Sequence, residues 1–309
     1  MMLQTSTISK RYGNKWVLRD VSLELELGRV LALLGAKESG KTTLLKILAN
    51  LEEPSPSNAS TGLNGQPVTL YPQSNGSFFS WLLGKSEVLN TTTQIQNILD
   101  NAKSVLLLDD PLCDVSANDL ESLCLTIRKT AEEKIAIVYA TSDFTTAALV
   151  ADKIVVLDKG TILQTGSPEE IYDLPQTSHI AHLSGRCNII EARRLTSSTT
   201  EIPEFQTIKG GHRLFTEKAN VAKLGPINRN VPLAIRPENV VISFGASFPE
   251  DNLLKATVIG TKFLGPTTIV ELDSNGLVLE AMVFRVVGLG IGDECMLGLP
   301  PDRIRILQE

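Results

Sequence analysis

The stretch "RVLALLGAKESGKTTLLKILANL" (29–51) constrains the fold more than any other part of the chain. It opens with an apolar run, 29–35, that ends in glycine, as a strand buried on both faces of a parallel sheet does. It closes with leucines at helical spacing over 42–51. Between the two stands Gly35-x4-Gly40-Lys41-Thr42, the phosphate-loop pattern, in the strand-then-helix context that this pattern requires. The glycines let the backbone curl so that its N–H groups point at phosphate oxygens. The start of the helix adds partial positive charge. Lys41 can reach β- and γ-phosphates, and Thr42 can offer a hydroxyl to Mg²⁺.

The same alternation continues downstream. "SVLLLD" (104–109) is a second buried-strand candidate that ends in a carboxylate, and a second carboxylate, Asp110, precedes Pro111. Beside a phosphate loop, Asp109 is placed to hold Mg²⁺ directly or through water. "ANDLESLCLTIRKTAEEK" (117–134) is amphipathic, and "IAIVYAT" (135–141) is a third apolar strand. "VSLELEL" (21–27) alternates as a half-exposed strand. In "KIVVLDKGTILQTG" (153–166), Gly160 supplies the positive φ of a tight hairpin. Ser167-Pro168-Glu169-Glu170 then starts a helix that should stop before Pro175. Strands alternating with helices predict an α/β domain around a parallel sheet.

Near residue 185 the texture changes. "VPLAIRPENVVISF", "NLLKATVIGTKFL", "TTIVELDSNGLVLEAMVF" and "DECMLGLPPDRIRIL" are short alternating segments joined by Gly, Pro, Asn and Asp turns. They predict a small all-β barrel or sandwich. With 309 residues, two domains are expected, 1–185 and 186–309. The net charge of −6 does not point to nucleic acid as a partner. Four scattered cysteines fit a reducing compartment better than a disulfide framework. The N-terminal residues show no secretory h-region, and no apolar run approaches about 20 residues, so a cytoplasmic protein is expected. The polar, turn-rich segment 54–65 reads as a surface loop. His179, His182 and Cys187 fall short of the ligand set of a zinc site, so surface histidines are expected.

These features together resemble the ATP-binding subunits of ABC importers, in particular the maltose, spermidine/putrescine, sulfate and ferric-iron group that carries a C-terminal β domain of the TOBE type. The resemblance spans nearly the whole chain. "KRYGNKWVLRDVSLELELGRVLALLGAKESGKTTLLKILANL" looks like the family's opening, "ADKIVVLDKGTILQTGSPEEIYDLP" is more specific than the phosphate loop alone, and "LAIRPENVVI" matches a hallmark of the C-terminal domain. The resemblance implies a P-loop NTPase fold followed by an OB- or TOBE-like domain. It implies ATP and Mg²⁺ at Gly35, Ala36, Lys37, Glu38, Ser39, Gly40, Lys41, Thr42 and Thr43, with Tyr12 stacked on adenine. Gln73 in "LYPQ" would join Thr42 and Asp109 at the metal, and Gln73, Asp110 and Ser142 fall at the catalytic positions. The implied partners are a second nucleotide-binding subunit, as homodimer or heterodimer, and integral membrane permease subunits. The implied location is peripheral, on the inner face of the membrane.

Several positions depart from the family pattern. Glu38 replaces a glycine, Asp110 the glutamate that polarises water, Ser142 a histidine that contacts the γ-phosphate, and Ser116 an aspartate. The signature loop is missing: "KSEVL" (85–89) stands in its place, and only Ser86 survives. Gln73 and Asp109 lie only 109 − 73 = 36 positions apart, about half of what the family's helical subdomain occupies. The apolar cluster Phe78, Phe79, Trp81, Leu82 and Leu83 lies where the family docks its membrane subunit, and reads as core or as that interface. These departures imply weak hydrolysis with nucleotide binding retained. The alternative is a pseudo-ATPase, a nucleotide-sensing or scaffold subunit that does not drive transport.

Overall fold

The computed structural model describes residues 2–55, 67–71, 91–102, 104–113, 115–195, 202–217, 227–243, 252–284 and 288–308. Gln73, the 78–83 cluster, "KSEVL" and most of the 54–65 loop lie outside these residues. The chain divides into two compact units, Met1–Asp173 and Leu174–Glu309.

The first unit holds strands β1 (Met2–Gln4), β2 (Ile8–Tyr12), β3 (Lys15–Val21), β4 (Glu24–Glu26), β5 (Val30–Leu34), β6 (Val68–Tyr71), β7 (Val105–Asp109), β8 (Ala136–Thr141), β9 (Lys153–Asp158) and β10 (Thr161–Gly166). Its helices are α1 (Lys41–Leu48), α2 (Thr91–Asp100), α3 (Ala117–Glu132), α4 (Phe144–Val150) and α5 (Pro168–Asp173). Six strands form one sheet in the order β10-β9-β5-β8-β7-β6. Strands β9, β5, β8, β7 and β6 are parallel, and β10 returns antiparallel. Every residue of β5, β7 and β8 is buried, as continuous apolar runs require. Helix α1 buries Leu44, Leu45, Ile47 and Leu48 against Leu33, Leu107 and Val138. Each such side chain contributes about 1.5–3 kcal/mol on burial.

Strand order positions the site. β8 lies between β5 and β7, so the loop after β5 and the acidic end of β7 emerge on one edge, one strand apart. In a parallel α/β sheet that edge is where ligands bind.

Local expectations hold in detail. The 153–166 hairpin turns on Lys159 (φ 45) and Gly160 (φ 82). Both central residues take positive φ, as a type I′ turn demands, so Lys159 shares the conformation that sequence reasoning gave to glycine alone. Ser167 and Glu170 cap α5 reciprocally: Ser167 N donates to Glu170 Oε2 at 2.8 Å, and Glu170 N donates to Ser167 Oγ at 3.2 Å. Over 21–27 the burial alternates as read, with Val21, Leu23 and Leu25 inside, although only Glu24–Glu26 pair as a strand there.

The second unit begins with α6 (Ser178–Leu183). Its strands are β11 (Asn188–Arg194), β12 (Glu204–Thr207), β13 (Arg213–Phe215), β14 (Asn230–Ile235), β15 (Val241–Ser243), β16 (Asn252–Phe263), β17 (Thr268–Ser274), β18 (Leu277–Val283), β19 (Glu294–Leu299) and β20 (Arg305–Ile306). They form two five-stranded antiparallel sheets, β13-β12-β11-β14-β20 and β15-β19-β16-β17-β18. Ile190, Leu233 and Ile235 of the first sheet share one core with Leu254, Val258 and Leu272 of the second. Asn252 ties the sheets together: its Nδ2 donates to Phe215 O and Leu299 O, both at 2.9 Å.

Helix α6 belongs to this unit for an identifiable reason. Arg236, buried just after β14, donates to Ala181 O at 2.9 Å, Arg186 O at 3.0 Å and Ser184 Oγ at 2.7 Å. That arginine is the one in "LAIRPENVVI".

Candidate functional site

An open cleft of about 1420 Å³ lies at the C-terminal edge of the first unit's sheet. Its walls bring together Tyr12, the loop 37–43, Asp109, Asp110 and Ser142. Gly35 and Ala36 complete the loop and face its lysine: Lys41 Nζ donates to Gly35 O at 2.7 Å and Ala36 O at 2.9 Å.

The loop's shape follows from its glycines. Gly40 caps α1 with φ 108, and a Cβ there would stand 2.8 Å from Leu18 Cδ2 and 2.9 Å from Val17 O. A Cβ at Gly35 would stand 2.3 Å from Leu157 O. Both positions therefore exclude any side chain, and α1 presents its free N–H groups to the cleft.

Asp109, at the end of β7, is buried. Burial pushes its carboxyl above the usual carboxylate range, against the opposing pull of a hydrogen bond with Thr42 and the Lys41 charge. Burial also lowers the Lys41 ammonium, which Asp109 and Asp110 counteract. A threonine hydroxyl bonded to a carboxylate is a pair of hard oxygen donors, the set that a small dication takes.

Asp110 is held differently. It has φ 49, its N–H donates to Ala140 O at 2.8 Å, and Thr141 Oγ1 donates to its Oδ1 at 3.2 Å. Glu38 is also left-handed, with φ 65, and its side chain is exposed at the cleft. Ser142 is exposed at the end of β8. The next residue, Asp143, caps α4 by accepting from Thr145 N at 2.9 Å.

Tyr12 stands at the cleft mouth, 47% exposed. Its hydroxyl donates to Glu52, and Lys10 lies 5.2 Å above its ring. Partial burial and the neighbouring Glu52 raise its phenol. Glu52 thus holds the hydroxyl end of the ring, and Lys10 stands over one face.

Sequence reasoning did not include Lys15, Arg19 and Lys159, which add positive charge to the cleft, nor Glu52 and Thr141. The hairpin was legible, but its docking was not: Gly160 N donates to Ser39 O at 3.0 Å, and Arg19 N donates to Gly160 O at 2.9 Å. Among the described residues, no three His, Cys, Asp or Glu side chains gather as a metal site. His179 and His182 are exposed on α6.

Comparison with known proteins matches residues 18–138 to the family described as ABC transporter, and residues 233–307 to the family described as TOBE domain. The chain pairs an ABC ATP-binding domain with a TOBE domain. The first match contains the phosphate loop, Asp109 and Asp110, and the second contains Arg236 and the whole of the second unit's β15-β19-β16-β17-β18 sheet.

Similar proteins share this extent. The Fe(3+) ions import ATP-binding protein FbpC of Photorhabdus laumondii is 25% identical over 359 aligned positions, covering 99% of this chain and 97% of the relative. The trehalose/maltose import ATP-binding protein MalK of Thermococcus litoralis is 27% identical over 334 positions, covering 87% of each. The maltose/maltodextrin import ATP-binding protein MalK of Mannheimia succiniciproducens is 25% identical over 356, covering 98% and 94%. The FbpC alignment has more positions than this chain has residues, so at least 359 − 309 = 50 positions stand opposite gaps in this chain. Among the described residues no helix is long and apolar enough to cross a membrane.

Proposed function

We propose that this ABC importer ATP-binding subunit holds MgATP in the cleft and cleaves it slowly. The observation that carries the reading is the meeting of Lys41 and Thr42, at the start of α1, with Asp109, at the end of β7, in a cleft that Tyr12 also lines. The loop and Lys41 take the phosphates, and Tyr12 takes the base. Thr42 and Asp109 would hold Mg²⁺, which when bound would neutralise charge on the phosphates, and the family resemblance assigns the same role to Gln73, which lies outside the described residues. Relatives named as import ATP-binding proteins support a peripheral place on the cytoplasmic face of a membrane, with permease subunits and a second nucleotide-binding subunit as partners.

Slow cleavage is inferred from the residues beside that metal position. Asp110 is one methylene shorter than glutamate, about 1.5 Å, and a misplacement of about 1 Å can cost about 10²-fold in rate. Ser142 is shorter than the histidine it replaces, and loss of one transition-state donor can cost about 10²–10³-fold. A pseudo-ATPase that senses nucleotide or acts as a scaffold is the second reading. It is favoured by the 36-position interval before Asp109 and by the 50 or more gapped positions.

ATP binding and hydrolysis measured on one sample, for wild type and Asp110→Glu/Ser142→His, test this. Tight binding with little turnover, rising in the double variant, is expected. Wild-type turnover at the rate of an ordinary ABC importer would refute slow cleavage. Capture of permease subunits together with ATP-dependent dimerisation separates a transporter subunit from a scaffold.

A further inference from the structure

We propose that Thr141 is a positioning residue that restrains hydrolysis: its hydroxyl keeps the Asp110 carboxylate bound to the sheet instead of free to act on water at the terminal phosphate. The proposal rests on the reading of the cleft as an ATP site.

Proton accounting defines the restraint. A hydroxyl has one proton to donate. Thr141 Oγ1 accepts from Asp143 N at 3.1 Å and lies 3.2 Å from Asp110 Oδ1. Its hydroxyl neighbours are Thr146 Oγ1, 3.5 Å away, which directs its own proton to Asp143 O at 3.0 Å, and the buried Tyr139 phenol, which carries a proton of its own. The Thr141 proton goes to Asp110, whose carboxylate can only accept. The carboxylate is the charged partner, so this bond belongs to the stronger class.

The backbone of Asp110 cannot compensate. Its N–H is bonded to Ala140 O at 2.8 Å, its φ is 49, and Pro111 follows. The pyrrolidine ring fixes the next φ and restricts the residue before it. Asp110 reaches water only by rotating its side chain away from Thr141. In the cleavage step the water oxygen bonds to the γ-phosphorus, and the bond from that phosphorus to the bridging oxygen breaks, its electron pair leaving on ADP. The proton shed by water needs an acceptor, and this carboxylate is held at Thr141 instead. Glutamate at this position would carry its carboxylate past the hydroxyl, so the bond to Thr141 is specific to the shorter acid.

Thr141 is buried and does not line the cleft. Its effect is therefore expected on turnover and not on ATP affinity. A hydrogen bond to a charged group favours the restrained state enough that its loss should raise kcat about tenfold.

The test is steady-state ATPase and ATP titration on the full chain for wild type, Thr141→Val, Thr141→Ser and Thr141→Val/Asp110→Asn. Thr141→Val should raise kcat about tenfold with KM unchanged, and Thr141→Ser, which keeps the hydroxyl, should return to the wild-type rate. The gain should vanish in Thr141→Val/Asp110→Asn, where no carboxylate remains to be released. Should Thr141→Val fail to fold, Thr141→Ala carries the same expectation. Unchanged or lower kcat in a Thr141→Val chain that binds ATP would overturn the proposal alone, as would a gain that survives Asp110→Asn. Failure of the wild-type chain to bind ATP would overturn the reading of the cleft, and the proposal with it.

Discussion

Replacing Glu38 by glycine removes a carboxylate from the phosphate loop and a side chain from a left-handed backbone. Glu38 sits at φ 65 beside Lys37, exposed at the cleft. A left-handed helical conformation costs a residue with a Cβ about 1–2 kcal/mol. Glycine costs about 0.5–1 kcal/mol through the freedom it gains in the unfolded chain. The two nearly cancel, so apo stability should change by about 1 kcal/mol or less. The electrostatic effect does not cancel. At a separation of about 8 Å and an effective dielectric of about 40, one unit charge opposes each ligand charge by about 1 kcal/mol. For a Mg²⁺-triphosphate of net charge about −2 this amounts to about 2 kcal/mol before screening. The Debye length is about 30 Å at 0.01 M and about 8 Å at 0.15 M ionic strength. The dissociation constant for MgATP should therefore fall about tenfold at low salt and about threefold at physiological salt. Glu38→Gln separates the terms: it keeps the strained backbone, loses the charge, and should gain affinity equally. Calorimetric titration at the two ionic strengths reads both variants. No gain in either variant at low salt, or a gain that salt does not diminish, would refute the reasoning.

Three further outcomes follow from the same geometry. Burial raises the Asp109 carboxyl, so its ionised form opposes folding; the stability it contributes is present below the unfolded pKa near 4 and is lost as pH rises through the folded value. Asp109→Asn should accordingly raise the apo melting temperature at pH 7, give no gain below about pH 4, and abolish the Mg²⁺ dependence of ATP binding, all readable by thermal melts and titrations. Gly160→Ala would place a Cβ 2.1 Å from Val17 O at φ 82, so it should destabilise the first unit by about 2–4 kcal/mol and weaken ATP binding as the hairpin lifts from Ser39. Arg236→Ala leaves three acceptors around α6 without their buried donor and should cost about 3–5 kcal/mol in denaturant unfolding of the second unit.

Elements whose cause is local were legible from the residues alone. The buried strands β5, β7 and β8 announce themselves as apolar runs, and the Ser167–Glu170 capping box is written in four consecutive residues. The phosphate loop is legible as a strand–loop–helix pattern, although what excludes side chains at Gly40 and Gly35 is Val17, Leu18 and Leu157 on other strands. The missed residues have in common that their roles arise between segments. Thr141 matters because β8 inserts between β5 and β7, which spacing along the chain does not reveal. Glu52 reaches Tyr12 across 40 residues, and Lys159 joins the cleft through a hairpin docked on the loop. The placement of α6 with the second unit depends on a buried arginine 55 residues away from the carbonyl it holds.

Residue chemistry and short-range periodicity were sufficient for the class of fold, the phosphate loop, the acidic strand end and the change to a β-rich second half. The family resemblance exposed the substitutions at 38, 110 and 142. What those substitutions do was decided only by packing. The strand order sets Asp110 against Thr141, the left-handed backbone fixes how Glu38 and Asp110 meet the cleft, and burial sets the charge balance between Asp109 and Lys41. The physical reason is range. Propensity, capping and turn chemistry act over a few residues, whereas hydrogen-bond partnership and desolvation depend on neighbours that the chain brings together only when the sheet is assembled.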